Sequence, residues 1–232
     1  MKKILIAILI TALLAACNPK IGGGLRKHDI NKDVEMVTSK GTMILRLSDA
    51  TPLHRNNFIL LVKQHYFDSV LFHRVINHFM IQAGDPDSKQ AKPNVPLGNG
   101  GPSYTIPAEL NTDLFHKKGA LAAARQGDNI NPQKASSGSQ FYIVQGKVFT
   151  PAGLDSVETF RLNGKKIPAA RREAYTTTGG TPHLDYNYTV FGELIKGFDV
   201  LDSIAAVPTS KGQDRDRPLQ DVKIIKARLI KR

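Results

Sequence analysis

The chain has 232 residues and a single cysteine, so no internal disulfide can stabilise the fold and a hydrophobic core must do so. Its formal net charge of +12 could indicate binding to nucleic acid or to an anionic membrane surface. The 32 basic residues are scattered along the chain, however, and tryptophan is absent. We therefore predict that the protein does not bind nucleic acid.

The first sixteen residues are typical of an export signal rather than of a folded domain. Lys2 and Lys3 precede a predominantly apolar run, 4–16, which is too short to cross a bilayer about 30 Å thick. The run ends in Leu14-Ala15-Ala16-Cys17, which resembles the bacterial lipobox, where the cysteine is lipidated and becomes the new N-terminus. The alternative is an ordinary signal peptide that happens to end near a cysteine.

The lipobox interpretation divides the chain into three parts. Residues 1–16 form a signal peptide, 17–33 a polar, glycine-containing tether from lipidated Cys17, and 34–232 one folded domain. We expect a monomer that is lipid-anchored in the bacterial cell envelope and faces the periplasm. By resemblance to enterobacterial lipoproteins, an aspartate at position 18 would favour retention in the inner membrane. Asn18 therefore predicts the outer membrane.

Short β-rich segments dominate the folded part. Two of them, 34–39 and 42–47, flank Lys40-Gly41 and predict a hairpin. Thr51-Pro52 marks the start of a helix over 52–65. Four apolar residues of this helix can share a buried stripe, namely Leu53, Phe58, Leu61 and Val62. Further strands are predicted at 70–76, 79–83, 104–106, 119–124, 140–144, 188–193 and 222–230, with a second, shorter helix at 198–205.

Many short strands and only two helices indicate a mainly β domain that closes into a barrel. The exception is the segment 147–180, which is too long for a simple strand connection and is predicted to be an inserted surface loop with a helical piece near 169–175. Its basic residues could bias recognition towards acidic client proteins or anionic surfaces. Alternatively, it could pack on the domain for stability alone.

Four sequence blocks resemble one family. The segment 72–85, FHRVINHFMIQAGD, resembles the cyclophilin signature F-H-R-x-I-x-x-F-M-x-Q-x-G-D. Further matches lie at 119–125, at 137–143 and at 183–192, in the order that the family has them. The resemblance therefore covers most of the folded part.

The resemblance implies a closed, eight-stranded antiparallel cyclophilin-like barrel capped by two α-helices. It also implies a peptidyl-prolyl cis/trans isomerase that acts on proline-containing, unfolded or partly folded exported polypeptides. Arg74 would be the catalytic group, and Gln82 would orient it. The implied substrate-binding residues are His73, Phe79, Met80, Ala124, Arg125, Gln140, Tyr142, His183, Leu184 and Tyr188.

The residues of the first block suit this chemistry on physical grounds. Rotation about an Xaa-Pro bond needs no nucleophile, metal or cofactor, so we expect no cofactor. The permanently charged guanidinium of Arg74 can donate to the prolyl nitrogen, while Phe79 and Met80 offer apolar walls. Strand alternation would place Phe72, Arg74 and Ile76 on one face. The seven histidines show no metal-ligand spacing, so we expect no metal site.

Three positions depart from the best-known eukaryotic members of the family. His183 replaces a tryptophan, Tyr142 a phenylalanine and Tyr188 a histidine. His183 should weaken the binding of cyclosporin-like cyclic peptides, and the Tyr142 hydroxyl needs a hydrogen-bond partner or solvent. The competing hypothesis is a non-catalytic chaperone or envelope scaffold that only binds proline-containing peptides. The intact signature, with Arg74, favours the enzyme.

Overall fold

The computed structural model describes residues 24–232, so the predicted signal peptide, Cys17 and the first part of the tether lie outside the described range. Strands β1 to β10 span Lys32–Thr38, Gly41–Leu47, Arg74–Ile76, Met80–Ala83, Thr105–Ile106, Ala120–Ala123, Ser136–Ser137, Phe141–Val144, Val190–Lys196 and Ile224–Lys231. Helices α1 to α4 span Pro52–Lys63, Pro151–Phe160, Ala169–Thr177 and Phe198–Ala205. Within residues 24–232, no helix combines the length and apolar character needed to cross a membrane.

Eight strands form one antiparallel sheet in the order β10-β1-β2-β9-β6-β8-β4-β3, which confirms the mainly β prediction. The sheet curls into an open half-barrel, so the predicted closure is wrong. The segment before β3 pairs with the start of β10 around an isolated bridge between Leu71 and Lys223, but β3 itself does not pair with β10. Strand β3 is only three residues long. The N–H of its Val75 donates to the carbonyl of Asp216 (2.8 Å), which lies in the loop before β10 and not in β10 itself. That loop occupies the edge which closure would need.

The central strands β4, β6 and β8 are buried on both faces. In β8, Phe141 and Ile143 pack into the main core, whereas Tyr142 and Val144 belong to a second apolar cluster on the opposite face. Helices α1 and α4 add residues such as Phe58 and Leu201 to the main core. Period-two alternation therefore gives each of these short strands a core side and a second side. The candidate site lies on the second side.

Helix α1 confirms the predicted helix, but its buried stripe begins one residue later than predicted. Phe58, Leu61 and Val62 are buried, whereas Leu53 is 39% exposed. His54 takes the inward position, where its ring nitrogens contact Glu109 (2.6 Å) and Ser136 (2.9 Å). The spacing 54, 58, 61 and 62 is that of one helical face, so a hydrogen-bonded histidine replaces the expected leucine.

The insertion is a pair of helices, α2 and α3, rather than a loop, so the domain has four α-helices and not two. The predicted helical piece near 169–175 is confirmed as α3. Leu154, Ile167 and Tyr175 form a small core of their own between the two helices. A segment with its own buried apolar cluster folds as a substructure and not as a strand connection.

A buried carboxylate joins the two inserted helices. Glu158 on α2 accepts hydrogen bonds from Lys166 Nζ (2.8 Å), the N–H of Ile167 (3.0 Å) and Arg172 Nη1 (2.6 Å). The Lys166 ammonium and the Ile167 N–H lower the pKa of Glu158 to about 2. Lys166 and Arg172, two of the insertion's basic residues, thus pair with a carboxylate of the insertion itself.

The packing of α2 predicts unequal effects for two apolar truncations on the same helix. Leu154→Ala should lower the free energy of unfolding by about 2–5 kcal/mol, because Leu154 is fully buried and its loss leaves a cavity. Phe160→Ala is the matched control, since Phe160 is 78% exposed and its truncation should change stability by no more than about 0.5 kcal/mol. Urea denaturation measures both, and equal effects would contradict the observed packing.

Candidate active site

The predicted site residues converge on a cavity of about 360 Å³ on the second side of the sheet. Those that line it are Arg74, Gln82, His73, Phe79, Met80, Ala124, Arg125, Tyr142, Leu184 and Tyr188. Gln140 lines an adjoining groove of about 510 Å³, to which Gln82 also contributes. His183 is not among the residues that line the cavity, but its ring stacks on the lining residue Phe79 with the ring centroids 5.6 Å apart.

Strand register places three polar and aromatic side chains in a row. Arg74 on β3 lies opposite Gln82 on β4, and Gln82 lies opposite Tyr142 on β8. Ile76 packs against the second cluster, on the same side as Arg74. Phe72 instead lies in the main core, so its predicted place beside Arg74 is wrong. Strand β3 begins only at Arg74, and residue alternation cannot be extended back beyond the strand.

A directional chain of hydrogen bonds leads to Arg74. Gln140 Nε2 donates to the carbonyls of Gly98 and Gly100, both at 2.8 Å. Its Oε1 therefore accepts from Gln82 Nε2 (3.2 Å), and Gln82 Oε1 accepts from Arg74 Nη1 (3.3 Å). Each amide has one donor end and one acceptor end, so the two loop carbonyls fix the orientation of both glutamines. Gln140 is thus placed as a support for Gln82.

The remaining contacts of Arg74 leave most of its donors available. Its Nε lies 3.9 Å from Asp216 Oδ2, beyond hydrogen-bond distance, and its Cζ lies 6.0 Å from the Phe79 ring centroid. The bond to Gln82 is the only one that this guanidinium makes within residues 24–232. A half-exposed guanidinium held at one nitrogen can direct its other N–H groups at a ligand.

Aromatic and aliphatic side chains make the other walls of the cavity. Phe79, Met80, Leu184 and Tyr188 belong to or pack on the second cluster, and Tyr188 meets Tyr142 edge-on with centroids 5.9 Å apart. Arg125 lies over Tyr188 at 4.7 Å from its ring centroid. Its Nε donates to the carbonyl of Asn187 (2.7 Å), so Arg125 acts as a fixed wall rather than a mobile charge.

The Tyr142 hydroxyl has the partner that its burial requires. It lies 3.0 Å from Nε2 of His116, a fully buried residue. Burial, with smaller effects of Tyr188 and Asp185, raises the pKa of Tyr142 well above its ordinary value, so the hydroxyl keeps its proton at neutral pH.

Sequence reasoning missed several residues of the site. Segments 96–98 and 213–215 and the side chain of Arg217 also line the cavity, and His116 supports Tyr142 from behind. The loop segments carry no spacing signal. His116 could have been sought through the unpaired hydroxyl that Tyr142 brings to an apolar pocket. Across residues 24–232, no cluster of three or more His, Cys, Asp or Glu side chains is arranged to hold a metal ion.

Comparisons with known proteins match most of this chain to one family. Residues 33–229 match the family described as "Cyclophilin type peptidyl-prolyl cis-trans isomerase/CLD". A "Putative peptidyl-prolyl cis-trans isomerase" of Staphylococcus haemolyticus is 36% identical over 210 residues, which cover 89% of this chain and 94% of that protein. A protein of the same description from Staphylococcus saprophyticus is 39% identical over 193 residues, which cover 82% and 87%.

A solved structure and a short motif complete the comparisons. The crystal structure of a cyclophilin type peptidyl-prolyl cis-trans isomerase from Cryptosporidium parvum superimposes with a TM-score of 0.63 and 23% identity. It covers 87% of this chain and 98% of its own, and it supports the fold. Residues 1–18 match the family described as "Prokaryotic membrane lipoprotein lipid attachment site".

The buried ring of His73 predicts a pH-dependent stability. Neither of its nitrogens has a hydrogen-bond partner within the described part of the chain, and burial lowers its pKa to about 4. The imidazole of His73 binds a proton near pH 6.5 in the unfolded chain but only near pH 4 in the folded chain. The free energy of unfolding therefore falls as the pH drops below 6.5 and levels off below about 4. The loss assigned to His73 is about 3 kcal/mol.

Comparison with His73→Phe isolates this contribution from that of the carboxylates. Urea denaturation of both proteins should give a stability difference that shifts in favour of the variant, by about 3 kcal/mol, between pH 7 and pH 4. Between pH 7 and pH 8 the difference should stay constant, because the ring is neutral in both states. A difference that is independent of pH throughout would contradict a buried, neutral His73.

Proposed function

Because the chain belongs to the cyclophilin family of peptidyl-prolyl cis-trans isomerases, we propose that it isomerises Xaa-Pro bonds through Arg74, oriented by Gln82 beside the apolar cavity. The observation that carries this assignment is the position of Arg74. Its guanidinium lines the same cavity as Phe79 and Met80, while one hydrogen bond to Gln82 fixes its direction.

The reaction defines what such a site must supply. Rotation about the Xaa-Pro bond passes a barrier of about 20 kcal/mol, because twisting breaks amide resonance. A turnover of hundreds per second requires that about 6 kcal/mol be removed from this barrier. No bond is made or broken, so stabilisation must come from groups that fit the twisted amide better than the planar one.

The cavity offers apolar contacts for the proline ring and a hydrogen-bond donor for the twisted amide. Phe79, Met80, Tyr142 and Leu184 would hold the proline ring by apolar contact while the preceding carbonyl turns. As resonance is lost, the prolyl nitrogen becomes pyramidal and gains a lone pair that can accept a hydrogen bond. Arg74 would donate to that lone pair, which exists in the twisted state and not in the planar ground state. Gln82 is a positioning residue in this scheme.

We further propose that the enzyme acts on exported proteins while anchored through Cys17 to a membrane of the bacterial cell envelope. The match of residues 1–18 to a lipid attachment site supports the anchor. The same signal supports the proposal of export to the periplasmic side, and Asn18 favours the outer membrane over the inner one. Unfolded chains that have just crossed a membrane would then meet the enzyme at its surface.

The assignment of Arg74 predicts that Arg74→Ala lowers kcat/KM for a short Xaa-Pro peptide at least tenfold, a loss above about 1.4 kcal/mol of transition-state stabilisation. A protease-coupled assay measures this rate. Arg74→Lys should also be impaired, because an ammonium cannot bond Gln82 and the prolyl nitrogen with the same fork.

Arg228→Ala is the matched control for the Arg74 variants. Arg228 is an exposed strand arginine that pairs with Glu35 (2.6 Å) and does not line the cavity. It should keep the wild-type rate. Circular dichroism should show that all three variants are folded, and a folded Arg74→Ala protein with wild-type kcat/KM would remove Arg74 from the mechanism.

The anchor predicts the outcome of a single-atom change. Cys17→Ser should leave the protein unprocessed or in the soluble fraction, because a serine cannot form the thioether of a lipidated cysteine. Membrane fractionation and mass spectrometry of the N-terminal peptide measure the result, with wild type as the control. Wild-type protein that is soluble and carries no acyl mass would show that the lipoprotein assignment is wrong.

A further inference from the structure

We propose that the helical insertion, residues 147–180, is part of the isomerase site, because His116 and Asp185 connect helix α3 to the Tyr142 side chain in the cavity wall. This inference rests on the proposed role of Tyr142 as a wall of the proline pocket. It assigns the insertion a task distinct from client recognition and from stability alone, namely the positioning of a pocket residue.

The connection is a continuous chain of hydrogen bonds. The Tyr142 hydroxyl lies 3.0 Å from His116 Nε2, and His116 Nδ1 lies 2.9 Å from Asp185 Oδ1. The backbone N–H of His116 donates to the same oxygen at 2.9 Å. On the other side, the hydroxyl of Tyr175 on α3 donates to Asp185 Oδ2 at 2.7 Å. One carboxylate oxygen thus serves the pocket and the other serves the insertion.

The chemistry of the carboxylate sets the direction of this chain. An ionised Asp185 only accepts hydrogen bonds, so the Nδ1 of His116 must carry a proton. In the neutral ring, Nε2 is then the acceptor, and the Tyr142 hydroxyl donates to it. Arg171 on α3, with its Nη1 3.7 Å from Asp185 Oδ2, offsets the carboxylate charge. The insertion therefore supplies both a hydrogen bond and a counter-charge to the residue that fixes the tautomer.

Burial makes each of these contacts costly to lose. Every residue of the chain is at most 4% exposed, namely Tyr142, His116, Asp185 and Tyr175. A buried polar group that loses a partner costs free energy, so each contact of the chain stabilises the observed arrangement of the others.

The backbone of the insertion reinforces the same point. The chain returns from α3 at Gly180, and the N–H of Thr181 donates to the carbonyl of His116 at 2.8 Å. A Cβ at Gly180, where φ is +153°, would lie 2.2 Å from that carbonyl oxygen. Only glycine permits so close an approach. The last residue of the insertion, Gly180, thus lies against the His116 carbonyl, and the next residue, Thr181, bonds to it.

The position of Tyr142 explains why the cavity would respond. Its ring is nearly parallel to that of His116, at 13°, and it meets Tyr188 edge-on. It also lies opposite Gln82 in the strand register, and Gln82 is the residue that orients Arg74. A shift of this ring would change both the pocket wall and the support of the catalytic group, and small misplacements of this kind reduce rates strongly. His116, Asp185 and Tyr175 are positioning residues in this view.

A double-mutant cycle on kcat/KM for a short Xaa-Pro peptide tests the connection. Tyr142→Phe removes only the hydroxyl, and Tyr175→Phe removes only the insertion's hydrogen bond to Asp185. Each should lower kcat/KM by about three- to tenfold, the range of one buried hydrogen bond. In the Tyr142→Phe background, Tyr175→Phe should cause no further loss, because its effect reaches the site through the missing hydroxyl. Equal losses in both backgrounds would overturn the proposal.

Two substitutions at His116 separate positioning from structure. His116→Asn can keep the bond to Asp185 but is too short to reach Tyr142, so it should reproduce the loss seen in Tyr142→Phe. His116→Gln reaches towards Tyr142 and should recover at least part of the rate, although it gives up the bond to Asp185. Tyr66→Phe is the control, since its hydroxyl contacts Ser139 outside this chain. A rate for His116→Asn equal to that of wild type would overturn the proposal.

The same assay distinguishes failure of this inference from failure of the proposed function. If Arg74→Ala is inactive while folded Tyr142→Phe and Tyr175→Phe keep the wild-type kcat/KM, the connection is refuted and the role of Arg74 stands. If Arg74→Ala keeps its activity, the role of Arg74 fails, and the coupling between Tyr142 and Tyr175 still decides whether the insertion acts on the site.

Discussion

The double-sided burial of strands β4, β6 and β8 is the constraint on which the rest of the structure depends. Each strand has four residues, and alternation sends two to the main core and two to the opposite side. Phe141 and Ile143 anchor β8 in the core, which leaves Tyr142 no freedom to choose another face. A register slip of one residue would exchange core and site completely, so the packing of the core also fixes the composition of the pocket.

The site itself is organised by the need to satisfy amide groups. The Nε2 of Gln140 donates to two loop carbonyls, at Gly98 and Gly100. Its Oε1 accepts from Gln82, whose own Oε1 accepts from Arg74. Neither glutamine amide can flip without placing a donor group against another donor. An isomerase that transfers no group can stabilise a transition state only through the shape of its pocket and through fixed dipoles. The fixed orientation of these amide groups therefore matters for such a site.

A second chain of hydrogen bonds connects the inserted helices to Tyr142 in the cavity wall. Their own core and the buried Glu158 make them a stable unit, and Asp185 links that unit to His116. An exposed loop could be removed at little cost to the domain, whereas a helix that partners a buried carboxylate could not. The hydroxyl of Tyr142 thereby has its hydrogen-bond partner at His116, 26 positions away in the chain.

Local patterns in the sequence predicted the hairpin, helix α1 and most of the strands, because each depends on alternation or on turn and proline signals. Ten of the residues that line the cavity were predicted from the resemblance of four sequence blocks to one family, and the loop residues that complete the lining were not predicted. The face of Phe72 was predicted wrongly, because β3 begins only at Arg74 and its Val75 pairs with the loop that carries Asp216 rather than with β10. His116 and Asp185 lie 69 positions apart and share no motif. Their pairing arises from the demand that every buried polar group find a partner, and that demand can be met only once the whole chain has folded.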